Sequence, residues 1–325
     1  MNSTAHQLTS YERAMLVTLA YTDQFDHPLT SEELLARCLR TVLSDKVLPE
    51  KKLRQAVAQL LKHRLIDVEV DFGTTYYFLA GRAGLVQRRK ERAIVAHKKS
   101  AEVQHAVTFL KSIPSIQAIY LTGSQAMEGA DEQSDIDFMI ITSPRRLWMT
   151  RIMVSIFAQL QGKRRSWNNE EAGSWCFNLW LDTDHLQVQS SKQDTYRAYE
   201  VLQAQELWSK NLVGSAFADE NNWIGQHFFI EQKNKGKRLV ESYDARATRT
   251  SFTPSVIDGI DWLAWKLQSL YMKRHQTIEK VGRGFAFFHP RETGNMIKDG
   301  WFASLERCLP KEMATEILQP YVRTR

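Results

Sequence analysis

Between Leu121 and Thr142, in the stretch LTGSQAMEGADEQSDIDFMIIT, a Gly-Ser pair is followed by two aspartates that alternate with apolar residues. Successive strand side chains point to opposite faces, so Asp135 and Asp137 should project together while Ile136 and Phe138 enter the core. Two carboxylates held that close repel each other, and aspartate is disfavoured in strands. A divalent cation that prefers oxygen ligands, usually Mg²⁺, would keep such a pair in place. Upstream, the apolar run from Ile116 to Leu121 leads into Gly123, whose missing side chain lets backbone approach a ligand. Ser124 then offers a hydroxyl at a helix start, where backbone N–H groups attract phosphate. Strand, Gly-Ser, short helix and a strand bearing Asp-x-Asp together describe a metal-dependent nucleotide site. The alternative is an exposed edge strand after an ordinary turn, and the apolar setting of the two aspartates weighs against it.

Gly123-Ser124, then ten residues ending in Ser134, then Asp135-Ile136-Asp137-Phe138 resemble the signature of the DNA polymerase β-like nucleotidyltransferase superfamily. The resemblance implies transfer of a nucleoside monophosphate from an NTP, with ATP the expected donor, to an acceptor hydroxyl with release of pyrophosphate. Two Mg²⁺ ions would assist, one lowering the pKa of the attacking hydroxyl and the other bridging the phosphates. Carried over by position, Gly123 and Ser124 would bind the triphosphate, and Asp135 and Asp137 would hold the metals. One departure is Glu128, which stands where the family often has glycine.

The superfamily usually completes its metal site with an acidic residue on the next strand. Here that strand is expected within Trp175 to Leu186, WCFNLWLDTDHL, where strict alternation sets Asn178, Trp180 and Asp182 on one face. Asp182 carries the charge a divalent ion needs and is the candidate third catalytic and metal-binding carboxylate. Asn178 lies nearer mid-strand, and a neutral amide in that role would weaken metal binding. The alternative, equally open, is that Asp182, Asp184 and His185 are a polar turn closing the strand.

The elements around this site suggest an α+β protein with four parts. Residues 1–80 should form a winged helix-turn-helix-like domain: a helix from Tyr11, a capping box at Thr30 to Glu33, a helix near Pro49, and a hairpin turning at Gly73-Thr74. Its wing carries Asp67, Glu69 and Asp71, which weakens the case for DNA and leaves docking or dimerisation equally open. Residues 81–112 read as a basic connecting helix with Arg88, Arg89, Lys90, Arg92, Lys98 and Lys99. That run is either a solvated face or, with Arg145-Arg146 and Lys163-Arg164-Arg165, an electropositive wall leading to the site. Residues 113–190 form the nucleotidyltransferase core, a sheet with flanking helices, and 191–325 a helical C-terminal domain. In the last part Trp262, Trp265, Leu267 and Leu270 are expected in a core, and Gly282-Arg283-Gly284 is only a fragment of a phosphate loop.

The 325 residues suggest two or three domains. A net charge of +6 permits an anionic partner without naming one. Cys38, Cys176 and Cys308 lack metal-ligand spacing and read as reduced cytoplasmic thiols. The opening MNSTAHQLTSYER shows no secretory leader, and Leu147 to Leu160, interrupted by Arg151, is too short to cross a bilayer, so no membrane partner is expected. It reads as an amphipathic helix on the back of the sheet. The acceptor, whether small molecule, protein or RNA, leaves no local signal. A second reading makes the chain a winged-helix DNA- or partner-binding module with a nucleotide-sensing or degenerate nucleotidyltransferase domain, such as one half of a toxin–antitoxin pair.

Overall fold

The computed structural model of the chain describes residues 7–40, 49–164, 173–229, 255–273, 280–288 and 293–322. Thr9 with Glu12, and Thr30 with Glu33, form reciprocal capping boxes that start α1 (Ser10–Asp23) and, after β1 (Leu29–Thr30), α2 (Ser31–Arg37). α3 (Glu50–Lys62) buries Leu53, Ala56 and Leu60. β2 (Ile66–Asp71) and β3 (Thr74–Leu79) then form a hairpin in a sheet of order β1-β3-β2. Two of the hairpin's acids are tied internally, Asp67 accepting from Gly81 N at 2.9 Å and Asp71 pairing with Lys90 at 3.0 Å.

After Gly84, the long α4 (Leu85–Leu110) leads into β4 (Ile116–Thr122), the single turn α5 (Gly123–Ala126), β5 (Ile136–Thr142), α6 (Leu147–Leu160) and β6 (Trp175–Asp182). α7 (Thr195–Gln203), capped by Asp194, precedes β7 (Gln205–Ser209) and α8 (Val213–Glu220). α9 (Val256–Lys273), β8 (Lys280–Val281) and β9 (Phe285–Phe287) follow, and then α10 (Thr293–Glu306) and α11 (Lys311–Val322). Among the described residues these strands form a six-stranded mixed sheet of order β7-β4-β5-β6-β9-β8, in which β5 and β6 alone run parallel.

The sheet has two distinct faces. Ile136, Phe138 and Ile140 pack with Trp148, Val154 and residues of α4 and α9 on the back. Met139 and Ile141 pack with Val213 and Phe217 of α8 on the front. β6 carries an irregularity that alternation does not foresee: Asp137 lies opposite Cys176 and Met139 opposite Leu179, so three β6 residues span two of β5. Such a bulge reverses which face later residues occupy. Phe177 accordingly joins the back core, whereas Leu179 joins the front.

The helical C-terminal part does not pack as a body of its own. α9, β8 and β9 complete the sheet, whereas α10 and α11 close over α1. Trp301 Nε1 donates to Val17 O at 2.8 Å, and the buried Asp23 carboxylate is held by Arg82, Arg307 and Ser304. Boundaries at 80 and 190 therefore cut through a shared core, because α1 is buried nearly all round and needs cover on both sides. Much of the basic run on α4 is engaged in local pairs, while Arg88 and Lys98 stay exposed. Arg88 and Arg92 pair with Asp26, Arg89 with Glu33, and Lys99 bonds to loop carbonyls beside the site. Arg165, from the other basic run, lies outside the described residues. On α9, Trp265 packs on the back core as expected, but Trp262, Leu267 and Leu270 remain exposed.

Candidate active site

β4 and β5 pair so that Thr122 lies opposite Asp137, which brings the Gly-Ser turn directly onto the second aspartate. Gly123 has φ +66, and a Cβ at this position would collide with the Asp137 carboxylate. Glycine is thus required twice over, by backbone conformation and by close approach. α5 spans only four residues, so any phosphate here would be held by local N–H groups and the Ser124 hydroxyl, not by a helix dipole. Asp135 sits just ahead of β5 and Asp137 within it, both partly exposed.

The loop between the two halves of the motif is braced. Ser134 Oγ donates to Asp131 Oδ1 at 2.6 Å, which with the neighbouring backbone bonds draws the Asp131 carboxyl below its ordinary value. Lys99 Nζ donates to the carbonyls of Asp131 and Ser134, each at 2.7 Å, immediately before Asp135. Glu128 adopts φ +52, a left-handed conformation that glycine takes at little cost. The departure from the family pattern therefore falls where the backbone would favour the family's residue.

Of the two β6 candidates, Asn178 is the one beside Asp137. Its Nδ2 donates to Asp137 Oδ1 at 3.1 Å, and its Oδ1 is buried without a hydrogen-bond partner. Asp182 instead pairs with Thr142, at the far end of β5, and the bulge has turned it toward the opposite face from Asp137. Asp182 therefore does not join Asp135 and Asp137. Its buried carboxylate accepts from His185 Nδ1 at 2.6 Å and from Asp184 N at 3.1 Å. Burial pushes its pKa up, and the His185 contact opposes that rise. Gly282 to Gly284 form the β8–β9 hairpin turn, closed by Gly282 N donating to Phe285 O at 2.8 Å. A Cβ on Gly284 would collide with His185 and the Asp182 carboxylate, so this glycine serves packing.

A carboxylate that local patterning does not single out, Glu200 on α7, feels the charge of Asp137. Glu200 is partly buried, and its carboxyl is pushed up to about 7, first by burial and then by the charge of Asp137, against the pull of Arg197. The one sequence hint was an acid among the apolar positions of YEVL.

Among the described residues no three His, Cys, Asp or Glu side chains converge as a metal-binding group. The donors at hand are two carboxylates and the orphaned amide oxygen of Asn178. All are hard oxygen ligands, and Mg²⁺ commonly takes one or two carboxylates together with substrate phosphates and water. The set fits that ion.

Residues 103–202 match the family model of the nucleotidyltransferase domain. The match, consistent with the polymerase β-like superfamily, spans every site residue from Gly123 to Glu200. No curated protein and no solved structure matches the chain. No helix among the described residues is long and apolar enough to cross a membrane.

Proposed function

We propose that this chain is a Mg²⁺-dependent nucleotidyltransferase that moves a nucleoside monophosphate from an NTP, with ATP the expected donor, onto a hydroxyl of its acceptor. The observation that carries the reading is the seating of Gly123 against Asp137, with the Asp135-x-Asp137 pair beside it. Gly123 and Ser124 would bind the triphosphate at the end of β4, and Asp135 and Asp137 would hold the metal, with Asn178 Oδ1 a further oxygen donor. When bound, Mg²⁺ supplies charge neutralisation for the phosphates and activates the attacking hydroxyl. Lys99 fixes the backbone that aims Asp135. The acceptor oxygen bonds to the α-phosphorus as the bond to pyrophosphate breaks.

The test is pyrophosphate release and transfer of α-labelled phosphate with Mg²⁺ and each NTP, using the chain itself, RNA and small hydroxyl compounds as acceptors. Activity is expected with wild type and lost in Asp137→Asn; full activity in that variant overturns the reading. The Asn178 bond to Asp137 favours one competing reading, a domain that binds nucleotide without turnover. Calorimetric nucleotide binding with no pyrophosphate release from any acceptor would establish that version. The N-terminal helices and hairpin, read as winged-helix-like, then provide the partner- or DNA-binding surface.

A further inference from the structure

α9 is apolar on the side turned away from the sheet as well as on the side that packs. Ala264 and Met272 enter the back core, and Asp261 accepts from Met149 N at 2.9 Å, so one face is committed to α6 and the sheet. On the other side Val256, Ile260, Leu263, Leu267 and Leu270 are exposed by 84%, 49%, 52%, 59% and 64%. Their spacing alternates four and three residues, the a/d spacing of a left-handed coiled-coil seam, which buries itself against a second seam of the same kind. α6, which meets α9, leaves Ile152, Met153, Ile156 and Leu160 exposed as well.

The α9 side chains alone expose on the order of 600 Å² per chain, at the upper end of what monomers leave uncovered. Two copies face to face would bury on the order of 1,200 Å², the lower bound of a standard stable interface before α6 adds to it. A lipid surface fits less well, since interfacial helices carry a basic polar face and Lys266 is the sole Lys or Arg between Val256 and Tyr271. The preceding stretch 230–254 is rich in Lys and Arg, and its few large apolar residues, such as Leu239, Val240 and Phe252, do not repeat at seam spacing.

We propose that the exposed α9 stripe pairs two copies of this chain about a twofold axis, with α6 at the rim. A self-complementary stripe meets the requirement of an isologous contact, in which the same patch serves on both subunits. Sedimentation velocity on the full chain should show a dimer at micromolar concentration, and the thermal midpoint should rise with concentration. Leu263→Glu with Leu267→Glu should weaken dimerisation on the order of 100-fold or more, because four carboxylates would meet unpaired in one seam, while circular dichroism stays unchanged. Mixing that variant with the matching Lys pair should restore a dimer, which also shows that both remain folded. A monomer with a concentration-independent midpoint overturns the proposal, as does a dimer indifferent to the Glu pair. Vesicle binding by a monomeric chain also overturns it.

Discussion

Asn178 and Asp182 are near neighbours on β6, yet they occupy opposite kinds of surroundings. Asn178 reaches the open aspartate pair and leaves an oxygen unsatisfied, whereas Asp182 is sealed behind the sheet with every visible contact satisfied by His185 and local backbone. The charged residue is turned away from Asp137, and the neutral residue bonds to it. Charge alone is therefore a poor guide to which side chain does chemistry; what counts is which face the backbone presents.

The largest effect that tests this contrast is catalytic. Asp137→Asn should lower pyrophosphate release about 1,000-fold or more, and Asp182→Asn less than about tenfold, in the same steady-state assay. Equal losses would erase the distinction. Next come the two glycines that touch these aspartates. Gly123→Ala, strained at φ +66 and colliding with Asp137, should cost about 2–3 kcal/mol and abolish activity. Gly284→Ala should cost a comparable amount in urea unfolding, through its collision with Asp182 and His185, and leave kcat near wild type.

Asn178→Asp sharpens the comparison from the other side. A third carboxylate 3.1 Å from where the amide now bonds Asp137 should destabilise the chelated protein by about 1–2 kcal/mol and be rescued by Mg²⁺. A variant that is indifferent to Mg²⁺ would remove Asn178 from the site. The pH effect is smaller. Burial holds the Asp182 pKa above its ordinary 3.8, so its contribution to stability is present below that value and lost as pH rises through the folded pKa. Relative to wild type, Asp182→Asn should gain stability as pH rises above about 4, levelling off once pH passes the folded Asp182 pKa, in thermal unfolding. Smallest is Glu128→Gly, which relieves φ +52 and should raise stability by about 1 kcal/mol without loss of activity.

Much of the local structure is legible in the residues themselves. The Thr30 capping box, the Leu147–Leu160 helix and the Gly73 turn all lie where their side chains place them, since each is decided within one turn or one strand of neighbours. The Gly123-Ser124 and Asp135-x-Asp137 pairing is legible for the same reason. Trp262, Leu267 and Leu270 show the limit of that logic, because helical spacing marks an apolar face without saying whether anything covers it.

By itself the sequence determined the two halves of the motif, the strands and helix starts that carry them, and the glycine that Asp137 requires. The tertiary structure alone decided which β6 side chain meets Asp137 and that α1 shares its core with α10 and α11. The physical reason is range. Periodicity reports a residue's face only while strand register holds, and one extra residue between Cys176 and Leu179, accommodated by packing on both sides of the sheet, set Asn178 and Asp182 on opposite faces.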